Sequence, residues 1–423
     1  MTANDVEIMA PVGSYESLMA AIQGGADSVY FGIGKLNMRS NSSKNFTMDD
    51  LVKISEIAKE NNLRTYITLN TVIYDEELED MKQIVDAAKA NNITAIIASD
   101  QSVIQYAHKQ GMEIHMSTQA NITNMEAVKY YSQFADVMVT ARELKLDQVK
   151  YITRQIKEQN ITGPSGNLIQ IEIFAHGALC MAVSGKCYLS LDNLNSSANR
   201  GACLQPCRRK YIVKDKESDL ELEIDNEYIM SPKDLNTVSF LDKMLDAGVR
   251  VLKLEGRGRS AEYVKTVAAV YREAVNAWFD NAYTQEKIDE WNNRLATVYN
   301  RGFWDGYYMG RKMGEWTENY GNQATQRKLY VGKVTNYFKK IGVAEIKVEA
   351  NVLSLNEEIK VIGPTTGVFE DTVSEIRLDD GAVVLEAPKG SVCSIKTGEV
   401  LRRGDKVYKI VPADISVPNL VQQ

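Results

Sequence analysis

Up to about residue 260 the chain repeats one theme: a short apolar run, a turn, then a stretch with apolar residues at three- and four-residue spacing. The strand-like runs fall at 6–12, 28–32, 64–70, 95–99, 113–118, 136–140, 169–175 and 250–255. The spacing between them predicts amphipathic helices, as over 48–61 and 75–91. Asn61-Asn62, Asn91-Asn92 and Gly111 stand where helices should end in a left-handed residue. Alternation of strand and helix predicts a parallel sheet covered by helices. Eight such strands suit a closed α/β barrel of the (β/α)8, TIM-like kind better than an open sheet.

Two regions depart from this theme. After the seventh strand, residues from about 176 to 228 hold four cysteines, many Asn and Ser, and no sustained helical period. A loop that long inside a compact domain is functional or disordered, and the cysteines favour function. Helical spacing returns over 261–280 and 285–299. From about residue 329 the pattern switches to strict alternation, with short strands at 344–350, 358–363, 372–378, 382–387 and 406–410. Gly-Pro, Asp-Asp-Gly and Arg-Gly-Asp turns separate them, so a small all-β barrel is predicted. The expected organisation is therefore a barrel domain over 1–325, a β domain over 329–412 and a tail over 413–423. A chain of 423 residues also exceeds one ordinary core.

Charge and composition narrow the function classes. A net charge of −7 argues against a protein that coats nucleic acid with its whole surface. Between Arg327 and Ile410, 14 Lys and Arg stand against 12 Asp and Glu, so the β domain is the mildly basic part. No run approaches the roughly 18 apolar residues of a membrane span. The opening residues show no basic, then apolar, leader, so a cytoplasmic location without a membrane is expected. Five cysteines in so long a chain make no disulfide framework, which also points to a reducing compartment.

The candidate chemistry sits at strand ends and in the cysteine segment. In a barrel of this type the site lies on the loops after the strands. There the sequence places Asn70, Asp100, Gln119, Arg142, Glu143, His176, Lys253, Glu255 and Arg257. Together they predict a polar pocket for a small anionic molecule; taken singly, each could merely cap a neighbouring helix, and His176 could be a packed structural residue. Cys180, Cys187, Cys203 and Cys207 fall within 28 residues, a spacing that suits a thiolate-bound metal group. From spacing alone an iron–sulfur cluster, a structural zinc and buried thiols all stay open. Cys393 lies in an alternating strand and reads as a small buried hydrophobe. Arg208-Arg209-Lys210 beside Cys207, with Arg257 and Arg259, are candidates to balance a cluster or meet phosphates. Neither a Gly-x-Ser-x-Gly elbow nor a His-Glu-x-x-His pair occurs.

The run from Glu172 through His176-Gly177-Ala178-Leu179-Cys180 to Lys186-Cys187-Tyr188-Leu189-Ser190 resembles the signature of the collagenase-like family, peptidase family U-32. Ala10-Pro11-Val12-Gly13, Asn199-Arg200-Gly201-Ala202-Cys203, Ser231-Pro232-Lys233-Asp234-Leu235, Lys253-Leu254-Glu255-Gly256-Arg257 and Asn300-Arg301-Gly302-Phe303 are similar to further motifs of that family. Despite the name, the resemblance implies hydroxylation. Its members act on tRNA wobble uridine, on a ribosomal RNA cytidine or on a ubiquinone precursor, with a cysteine-bound 4Fe–4S cluster. A barrel followed by one β domain is most similar to the tRNA members, which make 5-hydroxyuridine with prephenate as co-substrate. The resemblance implies that Cys180, Cys187 and Cys203 hold the cluster, with Cys207 the candidate fourth ligand. Its expected partners are tRNA and a small anion. The rival expectations are a peptidase, a non-catalytic RNA-binding scaffold and a ribosomal RNA hydroxylation factor.

Overall fold

The computed structural model describes residues 2–40, 45–211, 230–310, 315–317 and 321–413. The first part contains β1 Glu7–Pro11, β2 Ser28–Gly32, β3 Arg64–Leu69, β4 Ala95–Ala98, β5 Glu113–Met116, β6 Val137–Val139, β7 Gln170–Ala178, β8 Asp234–Asn236 and β9 Val251–Leu254. β1 to β7 pair in chain order, all parallel. β9 then pairs with β7 through Glu172 and Val251, and with β1 through Glu7 and Val251. That double pairing closes an eight-stranded parallel barrel, the TIM-like fold that the alternation predicted. β8 stays outside the ring. It runs antiparallel to the end of β7, with His176 opposite Asn236, and carries β10 Phe303–Trp304 on its other edge. β7 therefore reaches Ala178 rather than stopping at Ala175 as expected, because its last residues find a second partner.

Helices α1 Tyr15–Gln23, α2 Asp50–Glu60, α3 Leu78–Ala90, α4 Gln101–Lys109, α5 Met125–Tyr131 and α6 Leu146–Glu158 cover the outside between strands. Local chemistry fixes their ends. Ser14, Asp100 and Asn124 accept backbone N–H groups at the starts of α1, α4 and α5. Asn62 and Asn92 follow α2 and α3 with φ of 52° and 55°, the left-handed exits that the Asn pairs implied. Asp100 is thus a helix cap, holding Ser102 N at 2.9 Å and Ile73 N at 3.1 Å.

After a short helix α7 Leu189–Leu194 in the cysteine segment come α8 Leu241–Asp246, the 19-residue α9 Ala261–Phe279 and α10 Gln285–Thr297. The barrel buries two layers. Met9, Tyr30, Tyr66, Ala95, Ile97, Val137 and Val251 fill its interior. Leu18, Leu51, Ile54, Val103, Val149, Val264 and Ala268 lie in the larger cluster shared with the helices.

The C-terminal part is a separate antiparallel module. Its strands are β11 Gln326–Phe338, β12 Val343–Val348, β13 Leu353–Ser354, β14 Glu358–Gly363, β15 Gly367–Thr372, β16 Ile376–Leu378, β17 Val383–Val384, β18 Glu386–Ala387, β19 Val392–Lys396 and β20 Lys406–Pro412. The main sheet runs β15-β14-β20-β11-β12-β19-β16-β17, and β13 pairs with β18 apart from it. Among the described pairings no seam joins β15 to β17, so the sheet curls about its own core without hydrogen-bonded closure. Cys393 lies in that core, 1% exposed. The module rests on α1 and α9: Gln23 donates to Thr366 O and accepts from Val368 N, both at 2.9 Å. Lys265 pairs with Glu370 at 2.9 Å across the same contact. Residues 414–423, most of the expected tail, and 212–229 of the cysteine segment lie outside the described residues. Among the described residues no helix is long and apolar enough to cross a membrane.

One buried hydroxyl ties α9 to the end of β7. Tyr271 Oη donates to Ala175 O at 2.8 Å and accepts from Thr237 N at 3.0 Å. Tyr271→Phe keeps the ring and strands the Thr237 N–H, while Ala175 O keeps Thr237 Oγ1 at 3.0 Å, so it should cost about 1–3 kcal/mol. Urea unfolding followed by tryptophan fluorescence measures this; an unchanged midpoint would contradict the assignment.

Candidate functional site

Because the barrel strands are parallel, their C-terminal ends share one rim, and every second side chain faces inward. This alternation delivers Thr68 and Asn70 at the end of β3, Ser117 and Gln119 after β5, and Lys253, Glu255 and Arg257 from β9 and its exit turn. All of them line one cavity, together with Tyr30, Arg39, Arg142 and Phe174. Cys180, Cys187, Cys203 and Cys207 line the same cavity. None of the four is in a disulfide.

Backbone geometry and two arginines hold the cysteine segment there. Gly201 has φ of +78°, and a Cβ on it would stand 2.3 Å from Asn37 O. Gly185 has φ of +75°, and a Cβ would stand 2.8 Å from the Gln119 side chain. Only glycine lets the chain come so close to the rim at these points. Arg200 forms a bidentate pair with Glu77, donates to Val72 O at 2.6 Å and stacks 3.9 Å from the Tyr74 ring. Arg208 donates to Leu179 O and Pro232 O, each at 2.7 Å, and to Ser231 Oγ at 3.1 Å. Burial, then the neighbouring Arg301, lowers its pKa to about 10. Arg208 is therefore a staple inside the segment and not a phosphate contact, contrary to the sequence-based expectation. Arg209 and Lys210 beside it are exposed.

The electrostatics of the cavity are lopsided. Among the described residues, Arg39, Arg142, Lys253 and Arg257 line it against a single carboxylate, Glu255. Glu255 accepts from Arg39 Nη2 and from Tyr30 Oη, both at 2.9 Å. Burial disfavours its charge, but Arg39, Arg257 and Arg142 outweigh that and pull its pKa to about 2. Arg257 donates to Thr68 Oγ1 at 2.8 Å and to Asn37 Oδ1 at 3.1 Å, and burial brings its pKa down to about 10. Arg142 stacks 4.2 Å from the Phe174 ring, and its buried Nε has no hydrogen-bond partner. Lys253 is paired from below, with Glu172 at 2.6 Å. Burial pushes the thiols of Cys187 and Cys207 up, the latter to about 11. Each of these thiols also feels the charge of the other cysteines in the set. Among the described residues, no three His, Cys, Asp or Glu side chains converge as they would around one ion.

Of the expected pocket residues, the structure brings together Asn70, Gln119, Arg142, Lys253, Glu255 and Arg257. Three others fall elsewhere, Asp100 as the cap of α4. Glu143 is exposed on the turn after β6 and does not line the cavity. His176 would face inward by alternation from Glu172 and Phe174, but a register shift between Phe174 and His176 turns it away. It packs instead on Tyr271, with Nδ1 3.4 Å from the phenol oxygen, and burial lowers its pKa to about 4. Arg39 and Tyr30 were missed. Tyr30 could have been found from its place two residues after Ser28 on β2, whereas Arg39 comes from an irregular loop with no periodic signal.

The depressed pKa of Glu255 fixes a sign. Its stabilising charge is fully present above its ordinary value of 4.5 and is lost as pH falls through about 2. In acid titrations the wild type should lose stability over this interval more steeply than Glu255→Gln. Equal slopes would contradict the placement of the carboxylate.

The model of peptidase family U32 matches residues 13–318. A protein named collagenase from Porphyromonas gingivalis is 57% identical over 97% of this chain and 99% of its own length. A tRNA hydroxylation protein of Bacillus subtilis is 30% identical over 89% of this chain and 87% of its own. A 23S ribosomal RNA 5-hydroxycytidine synthase of Escherichia coli is 32% identical over 66% of this chain and 40% of its own. The chain belongs to peptidase family U32.

Proposed function

We propose that this protein hydroxylates tRNA at the wobble uridine, giving 5-hydroxyuridine. In this reading Cys180, Cys187, Cys203 and Cys207 hold a 4Fe–4S cluster. Arg39, Arg142, Lys253 and Arg257 bind prephenate or a related small anion beside it. The observation that carries the reading is the charge of the cavity among the described residues: four cations against Glu255, with a buried guanidinium nitrogen of Arg142 that has no hydrogen-bond partner. Counting Glu172 beneath Lys253, the described residues leave a surplus of two positive charges. Such a surplus is costly unless an anion completes it. A dicarboxylate fits, since arginine grips carboxylates through its planar fork.

Cys180, Cys187, Cys203 and Cys207 line the one cavity, and four soft thiolates are a donor set that an iron–sulfur cluster takes. Such clusters supply one-electron chemistry. The chain's own residues supply the rest: Arg39 and Arg257 orient the anion, Phe174 and Tyr30 wall it, and the cysteine segment limits water.

The choice of tRNA over ribosomal RNA follows coverage: the tRNA hydroxylation protein matches over 87% of its own length, the ribosomal RNA enzyme over 40%. A peptidase is the second reading, favoured by the name of the 57% identical relative. The cavity opposes it: among the described residues its lining holds no histidine and no aspartate to activate a serine or a water.

Mass spectrometry of tRNA nucleosides from cells lacking the gene tests this. Modifications derived from 5-hydroxyuridine should vanish, return with the wild type and stay absent with Cys180→Ser. Arg142→Ala should fold normally and lower the rate by about tenfold to a hundredfold, the worth of a charge-assisted hydrogen bond. Unchanged wobble uridines, together with peptide cleavage by the purified chain, would overturn the proposal in favour of the peptidase.

A further inference from the structure

Below the ligand cavity the barrel interior carries charge that the binding site does not use. Inward positions of such barrels are filled mainly by branched apolar side chains in layers. Here β5 supplies Glu113 and His115, β7 supplies Glu172, and β9 supplies Lys253. Side-chain exposure falls from 38% at Glu113, at the N-terminal end of β5, to 1% at His115 and 0% at Glu172. Lys253, 7% exposed, ends the series in the cavity.

The contacts are continuous. Glu113 Oε1 lies 3.0 Å from His115 Nε2, His115 Nδ1 lies 3.5 Å from Glu172 Oε2, and Lys253 Nζ donates to Glu172 Oε1 at 2.6 Å. The middle link is the loose one. His115 Nδ1 and Glu172 Oε2 are both buried without a hydrogen bond, and they face each other. A small side-chain shift would join them. Other groups frame the file: the Tyr66 ring sits 4.4 Å from the imidazole, and its hydroxyl donates to Glu7 at 2.7 Å. Arg64 pairs with Glu7 at 2.5 Å, and the Tyr30 ring lies 4.7 Å from Lys253 Nζ.

Stability alone does not account for this arrangement, since well-packed apolar residues usually replace buried ion pairs without loss. Burial works against the His115 cation, but Glu113 and Glu172 outweigh it and raise its pKa to about 9. Burial likewise opposes the Glu172 carboxylate, and Lys253 and His115 prevail and lower it. The file thus rests with protons loaded on His115 and Lys253 and an acceptor between them.

We propose that Glu113, His115, Glu172 and Lys253 form a proton relay joining solvent at the N-terminal end of the barrel to the ligand cavity. Lys253 is its terminal donor. A Lys253 N–H bond breaks as an O–H bond forms on an oxyanion in the cavity. The amine regains a proton from Glu172, which takes it from His115 Nδ1 and turns its carboxyl group to pass it on. After a flip of its ring, His115 is recharged from water through Glu113. The proposal rests on the reading of the cavity as an anion site, but not on the reaction performed there.

The chain has three histidines, so selective ¹⁵N labelling of histidine in the full-length protein gives a simple spectrum. Prephenate is the probe, with its binding followed by calorimetry. The relay predicts that prephenate moves the His115 ring signals in the wild type and leaves them in place in Lys253→Met. It also predicts that Glu113→Gln, nearly isosteric at a half-open site, slows exchange of the His115 ring protons with water roughly tenfold or more. Prephenate binding with unmoved His115 signals, or equal exchange in Glu113→Gln, would overturn the relay. Failure of prephenate to bind the wild type would overturn the anion reading instead. The exchange comparison needs no ligand and would then decide the relay by itself.

Discussion

Glu255 is one carboxylate asked to answer three guanidinium groups, and most of the site follows from that imbalance. Arg39 reaches it directly, while Arg257 and Arg142 act on it through space in a nearly dry enclosure. Interactions that would be screened at a surface are strong there. The pairing holds Arg39 at the cavity, and Arg142 lies over the Phe174 ring on the same lining. On the proposed reading, an anion would supply the counter-charge that such an enclosure lacks.

Barrel closure sets up that enclosure. The pairing of β9 with both β7 and β1 places Lys253, Glu255 and Arg257 on one inward line, two residues apart, across from Thr68 and Asn70. The cysteine segment is then laid over the rim by contacts that do not involve the thiols: Gly185 against Gln119, Gly201 against Asn37, and the arginine staples at Arg200 and Arg208. The thiols are therefore positioned without help from a metal, and on the proposed reading this preorganisation would reduce what metal binding must contribute to ordering the loop.

The strands of the barrel were legible because a buried parallel strand must be apolar and a covering helix must be amphipathic. Those demands leave a mark in every unit from Val6 to Leu254. β8 left none: at three residues it is too short for a period, and it exists only because the end of β7 offers an edge. The cysteines were legible as a concentration, and six of the nine expected pocket residues did converge. The three failures have physical causes: Asp100 is taken up as the cap of α4. His176 obeyed alternation until a register shift reversed it, and Glu143 sits on a turn whose direction no pattern encodes. Arg208 shows the opposite limit, since a basic run reads as a surface until burial and three oxygen acceptors claim one member of it.

The thiols and the cation surplus meet in one claim, that this cavity is built around a metal–sulfur cluster. Protein purified without oxygen and examined by Mössbauer spectroscopy, with iron and sulfide counted on the same sample, tests it most directly. The account predicts on the order of four irons and four sulfides per chain with the signature of a cubane cluster. It also predicts loss of that signature in Cys203→Ser and its retention in Cys393→Ser. Iron-free protein carrying one zinc per chain, bound by the same four thiols, would contradict it.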